Sequence, residues 1–135
     1  MRLAALAALV ALVPLAAALP AVCPDPCVVA SSGAGYEPLV SVIASGASVV
    51  WTSSDYTHIT QDGRGLGDDP CFFVLHDPDS PSPAVRFDVV GTALVATVEG
   101  QSAVCGSAVA TPAGATLPYY CWLHPTMRGA LVVTG

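Results

Sequence analysis

Beyond its first twenty residues, this chain places its apolar residues in short runs rich in Val, Thr and aromatics. Gly, Pro, Ser and Asp clusters cut the runs at close intervals. Ser48–Ser53 alternates in character, as a half-buried strand does, and nothing in the pattern reads as a helix. The pattern predicts strands at Cys27–Ser31, Leu39–Ala44, Ser48–Ser53, His58–Thr60, Phe72–Leu75, Val85–Val89, Ala93–Val98, Leu117–Cys121 and Ala130–Thr134. Such spacing implies an all-β sandwich or barrel of about eight strands. Ser45-Gly46-Ala47 reads as a tight connection, and Asp62–Asp69 as a Gly/Asp-rich loop. The prolines of Asp77–Pro83 exclude a central strand there. Gln101–Thr116, rich in Ala, Gly, Ser and Thr, reads as an elaborated loop held by Cys105. There is no internal repeat.

The N-terminus is of another kind. After Met1-Arg2 an apolar run extends from Leu3 to Leu19, broken only by Pro14, and exits through Ala16-Ala17-Ala18 and Pro20-Ala21. One basic residue, an apolar middle and a small-residue exit describe a secretory signal peptide, cleaved after Ala18 or after Ala21. The alternative is an uncleaved membrane anchor, since the run is nearly long enough to span. The reading is therefore a leader over residues 1–21 and one domain over 22–135, outside the cytoplasm, secreted or periplasmic.

Residues 22–135 hold three arginines (Arg64, Arg86, Arg128), no lysine and ten carboxylates. With no basic patch, nucleic-acid binding is not expected. An acidic surface either keeps the protein soluble or steers a basic partner. The domain is expected to be a monomer with no membrane contact once the leader is removed.

Five cysteines is an odd number: Cys23, Cys27, Cys71, Cys105 and Cys121. In an exported protein four are expected to pair and one to remain. Three pairings of the first four are possible. Cys23 closing on Cys27 would leave Cys71 for Cys105, but the N-terminal strand stapled to the two long loops is equally compatible. Cys121 is the natural remainder, because it opens the motif Cys121-Trp122-Leu123-His124-Pro125-Thr126-Met127.

That motif, C-x₂-H-x₂-M, puts a thiol, an imidazole and a thioether on one short link between two strands. Thiolate and thioether are soft donors that suit copper, and imidazole suits it in either oxidation state. Each residue alone has a plainer reading: Cys121 as a buried thiol, Met127 as core filler, His124 as a loop residue. Together, at this spacing, they point to one copper ion. A fourth donor must be His58 or His76. His58 is preferred, following the Val49-Val50-Trp51-Thr52-Ser53 strand after a four-residue link. His76, beside Asp77 and a proline-rich loop, reads as a solvated surface residue. Trp51 reads as core, and of Tyr119 and Tyr120 one is expected inside and one outside.

A glycine, then V-x-W, then a histidine seven residues past the aromatic, then C-x₂-H-x₂-M near the C-terminus, resembles the cupredoxin (type 1 blue copper) family. The loop ending in Met127-Arg128-Gly129 is most similar to that of its amicyanin branch, and the likeness runs from Ser41 to Gly135. The resemblance implies a Greek-key β-sandwich and copper held by His58 and His124 through Nδ1, Cys121 through a short thiolate bond, and Met127 axially. It also implies a one-electron carrier rather than an enzyme. His124 would serve as electron port, and Trp122, Leu123 and Pro125 as the rim of a transient docking patch for redox partners. Two departures stand out: Ile59 where the family has an asparagine, and Leu123 where its ligand loop has a proline. The competing functions are copper storage or delivery, and a disulfide-stapled interaction sandwich without redox role.

Overall fold

The computed structural model describes residues 20–63, 69–107 and 114–135. The leader expected over residues 1–21 falls almost wholly outside them. Eleven strands form: β1 (Cys27–Ser32), β2 (Gly35–Glu37), β3 (Val40–Ala44), β4 (Ser48–Ser53), β5 (His58–Asp62), β6 (Phe73–His76), β7 (Val85–Val90), β8 (Ala93–Val98), β9 (Gln101–Ser107), β10 (Ala115–Cys121) and β11 (Arg128–Thr134). The described residues contain no helix.

Two mixed sheets face each other. One runs β2-β1-β4-β7-β8-β9 and the other β3-β11-β10-β5-β6. The chain switches sheets at the β2–β3, β3–β4, β4–β5, β6–β7 and β9–β10 connections, so each sheet mixes early strands with later ones. The parallel pairs, β1 with β4 and β3 with β11, join strands remote in sequence. Alternation decides the layering: in β1 Cys27 and Val29 are fully buried while Val28 is exposed, and β4 and β7 likewise turn Val49, Trp51, Val85 and Phe87 inward. The core is knit by aromatic contacts. Trp51 stacks on Phe72 at 5.3 Å between ring centroids, and Tyr119 meets Trp51 and Tyr36 edge-on at 5.4 and 4.8 Å.

All nine expected strands form, within two residues at their ends, and two more join them. β2 is only three residues long. β9 occupies ground expected to be loop, pairing with β8 across a register shift between Ala93 and Val95. It is the edge strand of its sheet, and Gln101–Val104 all face solvent. An edge strand carries little of the apolar alternation that betrays a buried one. The expected division between Tyr119 and Tyr120 fails, since both are buried. Their partners across the β5 pairing, Asp62 and Gln61, are buried too, so both faces of the sheet are covered here.

Cys23 pairs with Cys27, and Cys71 with Cys105, leaving Cys121 free and buried. The first of the pairings open to the sequence is therefore the one adopted, and the odd cysteine is the one in the C-x₂-H-x₂-M loop.

Candidate metal centre

The centre lies at one end of the sandwich, where β5 begins, β6 and β10 finish, and the β10–β11 link folds over them. Cys121 ends β10 opposite Thr60 of β5. The link is closed by its own backbone: Cys121 N donates to Met127 O at 3.0 Å, His124 N to Cys121 O at 3.1 Å, and Met127 N to His124 O at 2.8 Å. Trp122 N also donates to Ile59 O at 2.8 Å, stitching the link to β5. Three bonds within seven residues leave Cys121, His124 and Met127 little freedom to move separately. Cys121 and Met127 are buried, whereas Trp122 through Thr126, His124 included, are exposed.

Glycine is required just beyond. Gly129 sits opposite Tyr119 in the β10–β11 pairing, and a Cβ on it would lie 2.5 Å from the Tyr119 ring. The phenol end of the ring thus packs closely on the backbone that leads out of the link.

His58 opens β5 and is fully buried. Its Nδ1 lies 3.8 Å from Cys121 Sγ, and its Nε2 lies 2.9 Å from Asp55 Oδ1. Asp55 is held down to about 2, chiefly by that bond to His58 and secondarily by the Gly33 and Tyr56 amides, so its carboxylate is ionised and only accepts. Nε2 therefore carries a proton and donates to Asp55, and Nδ1 is the ring nitrogen that faces the sulfur. Carboxylate–imidazole pairs of this kind fix the tautomer of metal-binding histidines. The Tyr56 ring stacks on His58 at 4.6 Å and meets His124 edge-on at 5.5 Å, spanning the two imidazoles. His58 and His124 are 6.3 Å apart between centroids.

His76 is the correction to the sequence reading. It is fully buried, not solvated, because β6 pairs with β5 and sets His76 directly opposite His58 on the inner face. The two rings stack at 5.7 Å with planes 20° apart. Burial, and then the neighbouring His58, pull His76 down to about 4, so it stays neutral. The sequence reading also missed Asp55 and Tyr56. A carboxylate three residues before a candidate histidine ligand was the available signal for the first; nothing in the spacing pointed to the second.

Among the described residues, no three His, Cys, Asp or Glu side chains stand close enough to hold an ion as placed. The donor chemistry nonetheless fits one. A tetrahedral ion with bonds of about 2.0–2.3 Å separates adjacent nitrogen and sulfur donors by roughly 3.6 Å, close to the 3.8 Å between His58 Nδ1 and Cys121 Sγ. Beside the centre, a groove of about 350 Å³ is lined by Tyr36, Leu39, Tyr56, His124, Met127 and Arg128.

The fold matches solved structures of amicyanin. Amicyanin from Paracoccus versutus aligns over 88% of this chain and 88% of its own, with 23% identity and a TM-score of 0.54. A variant of amicyanin in its oxidized state aligns over 82% and 83% with 20% identity, and the Cu(I) form of another variant over 84% and 86% with 20% identity, both at a TM-score of 0.54. No protein-family model matches the sequence, and the search of curated proteins found no match. The cupredoxin-like β-sandwich implied by the loop resemblance is thus the fold of this chain.

Proposed function

We propose that this chain is a type 1 copper protein that works outside the cytoplasm as a one-electron carrier between redox partners. The observation that carries the reading is the only unpaired cysteine, buried Cys121, whose sulfur lies 3.8 Å from His58 Nδ1 on a link that also bears His124 and Met127. His58, Cys121, His124 and Met127 are the donors that would hold the ion. Bound copper supplies a single-electron couple. The amicyanin structures include an oxidized state and a Cu(I) form, which fits that use.

The rest of the chain serves the same end. Asp55 fixes the His58 tautomer, and the backbone bonds of the link hold Cys121, His124 and Met127 in place. A site that keeps its donors still between two oxidation states exchanges electrons at low reorganisation cost. Trp122 and Leu123, 56% and 43% exposed, flank exposed His124 and offer a small apolar surface suited to brief encounters. The two disulfides and the apolar leader support an oxidising, extracytoplasmic setting.

Loading the purified protein with Cu(II) and following its visible spectrum and voltammetry tests the proposal. An intense thiolate band and reversible one-electron cycling are expected. Binding of Cu(I) without cycling would overturn the carrier role, and no binding at all would overturn the copper reading.

A further inference from the structure

His76 takes no part in the proposed donor set, yet it is one of the largest fully buried side chains and lies against the buried donor histidine. A neutral imidazole costs more to bury than a phenyl ring of similar shape unless its nitrogens are engaged. One nitrogen is: His76 Nε2 lies 3.0 Å from Thr60 Oγ1, and Thr60 Oγ1 lies 2.8 Å from the Tyr36 hydroxyl. Nδ1 leans toward the Thr52 backbone but makes no full hydrogen bond among the described residues. Each hydroxyl has one proton to give. If Tyr36 donates to Thr60 and Thr60 to Nε2, both hydroxyl protons are used and the imidazole N–H sits on Nδ1, toward the Thr52 backbone.

The bonds place the ring in a fixed plane. Thr60 lies opposite Cys121 in the β5–β10 pairing, and His76 lies opposite His58 in the β5–β6 pairing. Tyr36, on the facing sheet, anchors the far end. Fully buried His76 therefore covers His58 from the interior, while Tyr56, 42% exposed, covers it from the solvent side.

We propose that His76, held by Thr60 and Tyr36, is a positioning residue that fixes the ring plane of His58 and so sets the affinity and reduction potential of the copper site. The proposal rests on the copper reading above. It differs from plain core filling, because a filler of equal volume would serve as well as histidine.

The test compares His76→Phe, Thr60→Val and Val74→Ala in the purified protein. Val74 is buried on the inner face of the same strand, opposite Thr60, and contributes packing but no side-chain hydrogen bond to the chain. His76→Phe is expected to bind copper about tenfold more weakly, as is usual for loss of a group that orients a ligand, and to shift both potential and thiolate band. Thr60→Val, which keeps the imidazole, is expected to shift them the same way by less. Val74→Ala is expected to lower thermal stability and leave both in place. The proposal is overturned if His76→Phe retains wild-type affinity, potential and band, or if Val74→Ala moves them equally. Nitrogen-15 spectra of the metal-free imidazoles separate this from failure of the copper reading. One sharp set of His58 ring signals in the wild type that becomes broadened or doubled in His76→Phe supports the positioning role even if copper does not bind. A single sharp set in His76→Phe refutes it, the tautomer itself being held by Asp55 in both proteins.

Discussion

Replacing Gly129 with alanine sets two effects of opposite sign against each other. Gly129 lies inside β11 and has no left-handed backbone angle, so alanine fits its conformation. On backbone entropy alone the change would stabilise the protein by about 0.4–1 kcal/mol. The new methyl, however, would stand 2.5 Å from Cζ and Oη of Tyr119 and 2.7 Å from Cε1, where ordinary carbon contacts are about 3.5–4.0 Å. One partner must retreat by roughly 1 Å. Tyr119 cannot swing away, being 1% exposed and wedged between Tyr36 and Trp51. Overpacking of this kind costs about 1–3 kcal/mol, and with the ring so confined the upper part of that range is expected. Less the entropic gain, the net cost is about 1–2.5 kcal/mol. At about 4 °C per kcal/mol for a domain near this size, the melting temperature of the metal-free protein should fall by about 4–10 °C. Tyr119→Leu combined with Gly129→Ala should be less destabilised than the sum of the two single changes, because the clash is gone. A Gly129→Ala protein that melts at or above the wild-type temperature would refute the argument.

The two disulfides should contribute unequally. For sequence separations of 34 and 4, loop-closure entropy gives about 3.8 and about 1.9 kcal/mol; urea unfolding of the two Cys→Ala pairs should show the Cys71/Cys105 pair costing more. Stability of the metal-free protein should fall as pH drops from 6.5 to 4, because neutral His76 is held down to about 4 while the unfolded chain takes up a proton near 6.5. That loss amounts to no more than about 3 kcal/mol, and His76→Phe should flatten the window in denaturation series. Asp55, held down to about 2 from 3.8, adds stability that is complete above 3.8 and disappears only as pH falls toward 2. Asp55→Ala removes the acceptor for His58 Nε2–H and should weaken copper binding about tenfold by competition titration, with Asp55→Asn, which keeps an oxygen, falling between.

Local pattern carried much of this fold. Strands such as β4 and β7 alternate cleanly because one face meets the core, and alternation is visible in any window of six residues. The C-x₂-H-x₂-M link was legible for the same reason, its donors being neighbours in sequence. What escaped depends on register. Nothing near His76 says that it will lie opposite His58, since that follows from how β6 pairs with β5. Flanking Asp77 and the prolines argued for solvent, and the pairing overrode them. Tyr120 is buried where alternation predicts exposure, because cover on the outer face of a sheet is invisible to a period-two reading. Strand β9 carries too little apolar alternation to be told from a loop.

The claim at the centre of this account is that Cys121, His58 and His124 close on one copper ion with Met127 beside it. X-ray absorption at the copper edge of the loaded protein measures that directly. One short copper–sulfur bond with two imidazole nitrogens, the sulfur lost in Cys121→Ser, is the predicted result. A shell of oxygen and nitrogen alone, or one unchanged by Cys121→Ser, would contradict it.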